Sequence, residues 1–124
     1  MGVATKKHQT RYGKERRLTF SVAGMNYRVT PSTQVALSEN APIMVKLVRE
    51  PENTHDPNAI AVYLETYRKG MHIGFVPRQI AESLAPLMDE NRVVFTATWL
   101  TSIDFSGHTG KLLVVLRKKL SPTP

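Results

Sequence analysis

The sequence contains no cysteine. Disulfide frameworks, zinc ribbons, iron–sulfur centres and thiol nucleophiles are therefore excluded, and the fold must rest on its apolar core. No apolar run approaches the roughly 18 residues that would suggest a membrane-spanning helix, and Met1–Lys7 lacks the apolar stretch of a secretory leader. The expectation is a cytoplasmic protein with no membrane partner. Aromatic residues are few, at 7%, so the position of each ring carries information. Acidic residues are scarce at both ends. Residues 1–20 hold Glu15 alone against Lys6, Lys7, Arg11, Lys14, Arg16 and Arg17, and residues 111–124 hold none against Lys111, Arg117, Lys118 and Lys119.

What is present suits a single domain. The chain has 124 residues, 41% of them hydrophobic, which is enough for a core without metal or disulfide staples. Net charge is +7, yet residues 21–110 contain seven basic and nine acidic side chains, so the positive charge lies at the ends. Basic ends attract a polyanion, most simply nucleic acid, through phosphate neutralisation and counterion release; a solubilising tail is the alternative on charge alone.

Residues 1–16 show no apolar periodicity and read as a flexible basic arm, with a domain over 17–120 and a short tail over 121–124. Leu18, Phe20 and Val22 alternate as in a strand. Gly24 permits a bulge or turn, after which Tyr27–Arg28–Val29 reads as strand again. Residues 31–42 are rich in turn formers, with room for a short helical turn around Val35–Ser38. Further strands are predicted at Val45–Arg49, Ala59–Leu64 and Met71–Val76, then a helix from Arg78 to about Asp89, which Pro86 kinks or divides. Val93–Trp99 and Leu112–Leu116 complete the pattern, joined by a loop over Ser102–Gly110. Strands joined by short turns, with no βαβ alternation, indicate a mainly β fold: a small barrel or sandwich with a helix closing one end.

Functional side chains are densest between Arg49 and Asn58, where Glu50, Glu52, Asn53, His55 and Asp56 fall close together. Asp, Asn and Pro are what a tight connection needs, because their side chains bond nearby backbone amides. The same groups, held rigidly, recognise hydroxyls or phosphates. Catalytic signatures are missing: the sequence has no HExxH helix, no GxSxG elbow and no phosphate-binding GxxxxGK[ST] loop. No enzymatic activity and no cofactor are expected. Glu52, His55, Asp56 and His72 leave a metal-dependent nuclease as a minor reading. Tyr27 and Phe75 either cap the core or form a platform for a base, with Arg28, Arg49 and Arg78 near enough in sequence to meet phosphates.

The run Val45–Lys46–Leu47–Val48–Arg49–Glu50–Pro51–Glu52–Asn53–Thr54–His55–Asp56–Pro57–Asn58–Ala59–Ile60–Ala61–Val62, followed by Ile73–Gly74–Phe75–Val76–Pro77–Arg78 and Ile80–Ala85, resembles the HIRAN domain family. Ser21–Val22–Ala23–Gly24 resembles the upstream strand of that family, and the likeness covers about residues 18–90. It implies a modified OB-like β-barrel of about six strands with one or two short helices, acting as a monomer. It also implies binding of single-stranded DNA at a free 3′-hydroxyl, in the service of DNA repair, replication or mobile-element biology beside a partner helicase or nuclease. Asp56 would accept the hydroxyl's hydrogen bond, and Asn53 and His55 would shape the pocket. Tyr27 would stack on bases, with Arg28 beside it, while Phe75 and Arg78 would meet the strand with a ring and a charge. Asn26 and Arg28 flank Tyr27 where other members carry an Arg and a second Tyr, which makes the platform smaller. A protein-binding module that recruits or inhibits a DNA enzyme is the alternative, and RNA in place of DNA stays open.

Overall fold

The computed structural model describes residues 11–120. Lys6, Lys7 and the 121–124 tail lie outside the described residues. Seven antiparallel strands form the scaffold: β1 (Arg11–Tyr12), β2 (Arg16–Ser21), β3 (Ile43–Arg49), β4 (Ile60–Leu64), β5 (His72–Phe75), β6 (Val93–Asp104) and β7 (Thr109–Leu120). Among the described residues three helices interrupt them: α1 (Met25–Arg28), α2 (Pro31–Asn40) and α3 (Arg78–Asp89).

The strand order β7–β6–β3–β4–β5 makes one curved sheet, with β1 and β2 both paired to the free side of β7. The chain leaving β2 then closes the barrel. Ala23 exchanges backbone hydrogen bonds with Phe75 at 2.7 and 2.9 Å, joining the end of β2 to β5. Gly74 permits that approach. A Cβ there would lie 2.5 Å from Ala23 O and from Val22 Cγ1, and its φ of +150° also disfavours other residues. Inward positions alternate as the strand period requires: Ile43 and Val45 on β3, Ile60, Val62 and Leu64 on β4, and Leu112, Val114 and Leu116 on β7 are all buried. Ala81, Leu84 and Ala85 of α3 cover the open end of this core.

The structure corrects five expectations. Tyr27–Val29 is not a strand: Gly24, at φ +76°, turns the chain into the single turn α1, because Met25 and Val29, four residues apart, are the buried pair. Residues 31–40 form a full helix, not one short turn. Thr30 caps it by accepting from Thr33 N, Pro31 occupies its first turn, and only Gln34 and Leu37 are buried along it, so its apolar periodicity is weak. Within the described part of the stretch 1–16, Arg11–Tyr12 are not irregular but pair with Leu120 and Lys119, and β2 begins at Arg16. Helix α3 is not divided at Pro86, the second of the two expectations for that residue, but runs through it as one element. The last hairpin turns within residues 105–108, because Asp104 Oδ1 accepts from Ser106 N and Gly107 N and lets Ser102–Asp104 stay in the ladder.

Candidate functional site

The connection between β3 and β4 is organised by its own side chains. Asn53 Oδ1 accepts from the amides of His55 and Asp56 at 2.9 and 3.1 Å, and Asn53 Nδ2 donates to Glu50 Oε1 at 3.0 Å. Asp56 Oδ1 accepts from Asn58 N at 2.9 Å. Asn53 thus commits both ends of its amide to the loop, whereas Asp56 commits one carboxylate oxygen. The second Asp56 oxygen has Arg78 Nε at 4.0 Å, and the Asp56 side chain is 20% exposed.

Arg49 locks this loop to the barrel, a role that sequence position did not reveal. Its Nη1 donates to Ala59 O at 2.7 Å and its Nη2 to Pro57 O at 2.9 Å. The guanidinium also forks onto Asp89 at the end of α3, with Nε–Oδ1 at 2.8 Å and Nη2–Oδ2 at 3.0 Å. This two-bond pairing holds the Asp89 carboxyl below the usual carboxylate range, the hydrogen bond from Arg49 being the main cause. With its side chain 12% exposed and committed to four bonds, Arg49 is a structural clamp and not the phosphate contact its charge suggested.

Against the loop lies a cleft of about 330 Å³. Arg28, Asn53, His55, Asp56, Phe75 and Arg78 line it, together with Ala23, Ala59 and Val76. Six side chains singled out from the sequence are therefore brought to one place by four separate segments: α1, the β3–β4 loop, β5 and the start of α3. Tyr27 is not among the lining residues. Its ring is 88% exposed on α1, next to Arg28. The small lining residues Ala23 and Ala59 carried no chemical signal, yet their size leaves room for a guest.

The charge distribution in the cleft is uneven. Arg28 lies over the Phe75 ring, its guanidinium carbon 5.3 Å from the centroid, so one wall is both flat and positive. Arg78 Nε lies 4.0 Å from the Asp56 carboxylate, a loose ion pair with the Arg78 side chain 75% exposed. Behind Phe75, His72 meets the ring edge-on at 4.9 Å and stacks on Tyr63 at 4.7 Å. Its Nε2 donates to Gly74 O at 2.9 Å, which fixes the tautomer because a carbonyl can only accept. Burial, then the nearby charge of Arg28, pushes the His72 pKa below its ordinary value. His72 is thus a neutral support for Phe75. Glu52, His55, Asp56 and His72 are not assembled as ligands: among the described residues no group of three or more His, Asp or Glu is placed to hold a metal ion. Nor, among the described residues, is any helix long and apolar enough to cross a membrane.

Comparison with known proteins places this arrangement. The family model of the HIRAN domain matches residues 16–107. A Fanconi-associated nuclease 1 homolog of rice, Oryza sativa subsp. japonica, is 39% identical over 59 residues, which is 48% of this chain and 6% of the relative's own length. Among solved structures, the HIRAN domain of human HLTF superposes with a TM-score of 0.64 at 26% identity, covering 83% of this chain and 76% of that one. A protein from Lactobacillus plantarum superposes with a TM-score of 0.59 at 25% identity, covering 86% of this chain and all of that one. The match runs from the first long strand of the barrel into the β6–β7 turn and includes every residue of the cleft, and so the chain belongs to the HIRAN domain family, which is known for binding DNA.

Proposed function

We propose that this domain binds single-stranded DNA by holding a free 3′-hydroxyl end in the cleft, and that it performs no catalysis of its own. One observation carries the reading: a carboxylate, Asp56, sits in a cleft that is otherwise positive and aromatic, with Arg28, Phe75 and Arg78 around it. A site for bare phosphate would not place a carboxylate there, because two anions at contact distance repel. A hydroxyl donates to a carboxylate, while the arginines reach the phosphates that precede it along the strand. The terminal nucleotide is thereby distinguished from a phosphorylated or continuing one. Phe75, backed by His72 and Tyr63, offers the adjoining base a flat face, and exposed Tyr27 offers another outside the cleft.

Family membership supports DNA as the ligand. The relative described as a Fanconi-associated nuclease 1 homolog supports a setting in DNA processing, beside a helicase or nuclease that supplies the chemistry. The test is fluorescence anisotropy with a short single-stranded oligonucleotide ending in a 3′-hydroxyl or a 3′-phosphate, for the wild type and for Asp56→Ala. The wild type prefers the hydroxyl end by about tenfold, the worth of one hydrogen bond to a charged group, and Asp56→Ala removes the preference. Equal binding to both ends by the wild type refutes end recognition, and no binding at all moves the search to a protein partner.

A further inference from the structure

Strand pairing gathers the two basic ends of the sequence around one end of β7, on both sides of the sheet. Tyr12 pairs with Lys119, Arg16 with Leu116 and Arg17 with Val115, and Arg92 O accepts from Lys119 N at 2.8 Å. Arg11, Lys14, Arg16, Arg17, Arg92, Arg117, Lys118 and Lys119 are thereby collected around one end of β7. The acidic side chains carried by the same segments are Glu15 and Glu90, 3.8 Å from Arg17 and 3.9 Å from Arg92. Arg16 and Lys118 share the inward-facing side of their strands with Leu18 and Leu116, and rim a groove of about 420 Å³ beside Leu84 and Leu87 of α3. Arg17 and Arg117 belong to the outward side. Like charges on adjacent strands repel one another, so the fold carries an unfavourable contribution here that a polyanion would relieve.

We propose that this basic end of β2 and β7 is a second nucleic-acid surface, which holds the phosphate backbone of duplex DNA beside the strand end in the cleft. The proposal rests on the cleft reading given above. Duplex is favoured because this end offers charge without a row of rings: Tyr12 is the aromatic side chain there, whereas a single strand needs stacking platforms. The spacing fits as well. Helix α3 begins with Arg78 at the cleft, and its Ser83–Leu87 stretch lines the basic groove. The five to nine residues from Arg78 to that stretch rise about 8 to 14 Å, roughly two to four base-pair steps. Glu82 is exposed on α3 between the two.

The experiment compares a duplex bearing a short 3′ single-stranded tail with the same tail alone, for the wild type, Arg117→Glu/Lys118→Glu and Arg117→Gln/Lys118→Gln. The wild type binds the tailed duplex several-fold more tightly than the tail. Both double variants lose that gain, and the slope of log affinity against log salt for the tailed duplex falls by about two. Binding of the tail alone and its preference for a 3′-hydroxyl are unchanged. Equal wild-type affinity for the two probes overturns the proposal, and so does an equal loss on both probes in the variants. Failure of the cleft reading is seen separately, as an absent 3′-hydroxyl preference on the tail alone. Circular dichroism of each variant, with the glutamine pair as the milder change, separates lost contacts from lost fold.

Discussion

The cleft and the basic end of β2 and β7 are built on opposite plans. In the cleft every charge is matched or positioned. Arg49 forks onto Asp89, Asp56 is bonded to Asn58 and faces Arg78, and Arg28 rests on Phe75. Around that end of β7, Arg11, Lys14, Arg16, Arg117, Lys118 and Lys119 have no ion-pair partner among the described residues. A positioned carboxylate discriminates between ligands but attracts a polyanion weakly. A crowd of exposed lysines and arginines attracts any polyanion and discriminates little. The two regions therefore separate specificity from affinity.

Substitutions sharpen this contrast, because the cleft is tied into the fold and the basic end is not. The largest effect is expected at Gly74. Gly74→Val drives a side chain into Ala23 O and Val22 Cγ1 at 2.5 Å, parts Ala23 from Phe75 and costs on the order of 3 kcal/mol in urea unfolding. Arg49→Met comes next. It leaves Ala59 O and Pro57 O without a donor and frees the loop from α3, lowering stability by about 2 kcal/mol. End discrimination in the anisotropy assay falls with it, while the gain in affinity from an adjoining duplex persists. Such a split would be lost if both regions were one surface.

His72 gives a smaller, pH-dependent effect. Its pKa in the folded protein lies below the ordinary value near 6.5, so at mildly acid pH the unfolded chain binds more protons than the folded one. Stability from the neutral ring is complete above about pH 6.5 and is lost as pH falls through the lowered pKa. A urea midpoint followed downward from neutral pH shows this loss in the wild type, and His72→Phe removes it. Smallest of all is the effect on stability of Arg117→Glu/Lys118→Glu. Both positions are exposed, so the midpoint stays within about 0.5 kcal/mol and rises if relief of repulsion dominates. A large loss there would erase the contrast between the two regions.

The parts of this fold legible in the sequence are those whose pattern is local. Ile80, Leu84 and Leu87 repeat at helical spacing after Pro77, and α3 begins and ends at Arg78 and Asp89 as the pattern indicates. The alternation of Ile60, Val62 and Leu64 marks β4 in the same way. Helix α2 was harder to read because only Gln34 and Leu37 face the core, although Thr30–Pro31 is itself a helix-start signal. The Asn53–Asp56 loop was legible because its bonds join residues at most three apart.

The sequence by itself determined the strands β2 to β7, the loop that presents Asp56, and the chemical kinds of side chain available to a ligand. Only the tertiary structure decided which of them meet. Arg49 became a clamp because Asp89, 40 residues away, arrives beside it. Tyr27 was left outside the cleft because Gly24 starts a helical turn, and the two basic ends came together because β1 and β2 both pair with β7. Local patterns record which face of an element is buried. The partners that neutralise, crowd or abandon a charge are chosen by strand pairing across long sequence separations, which no local pattern encodes.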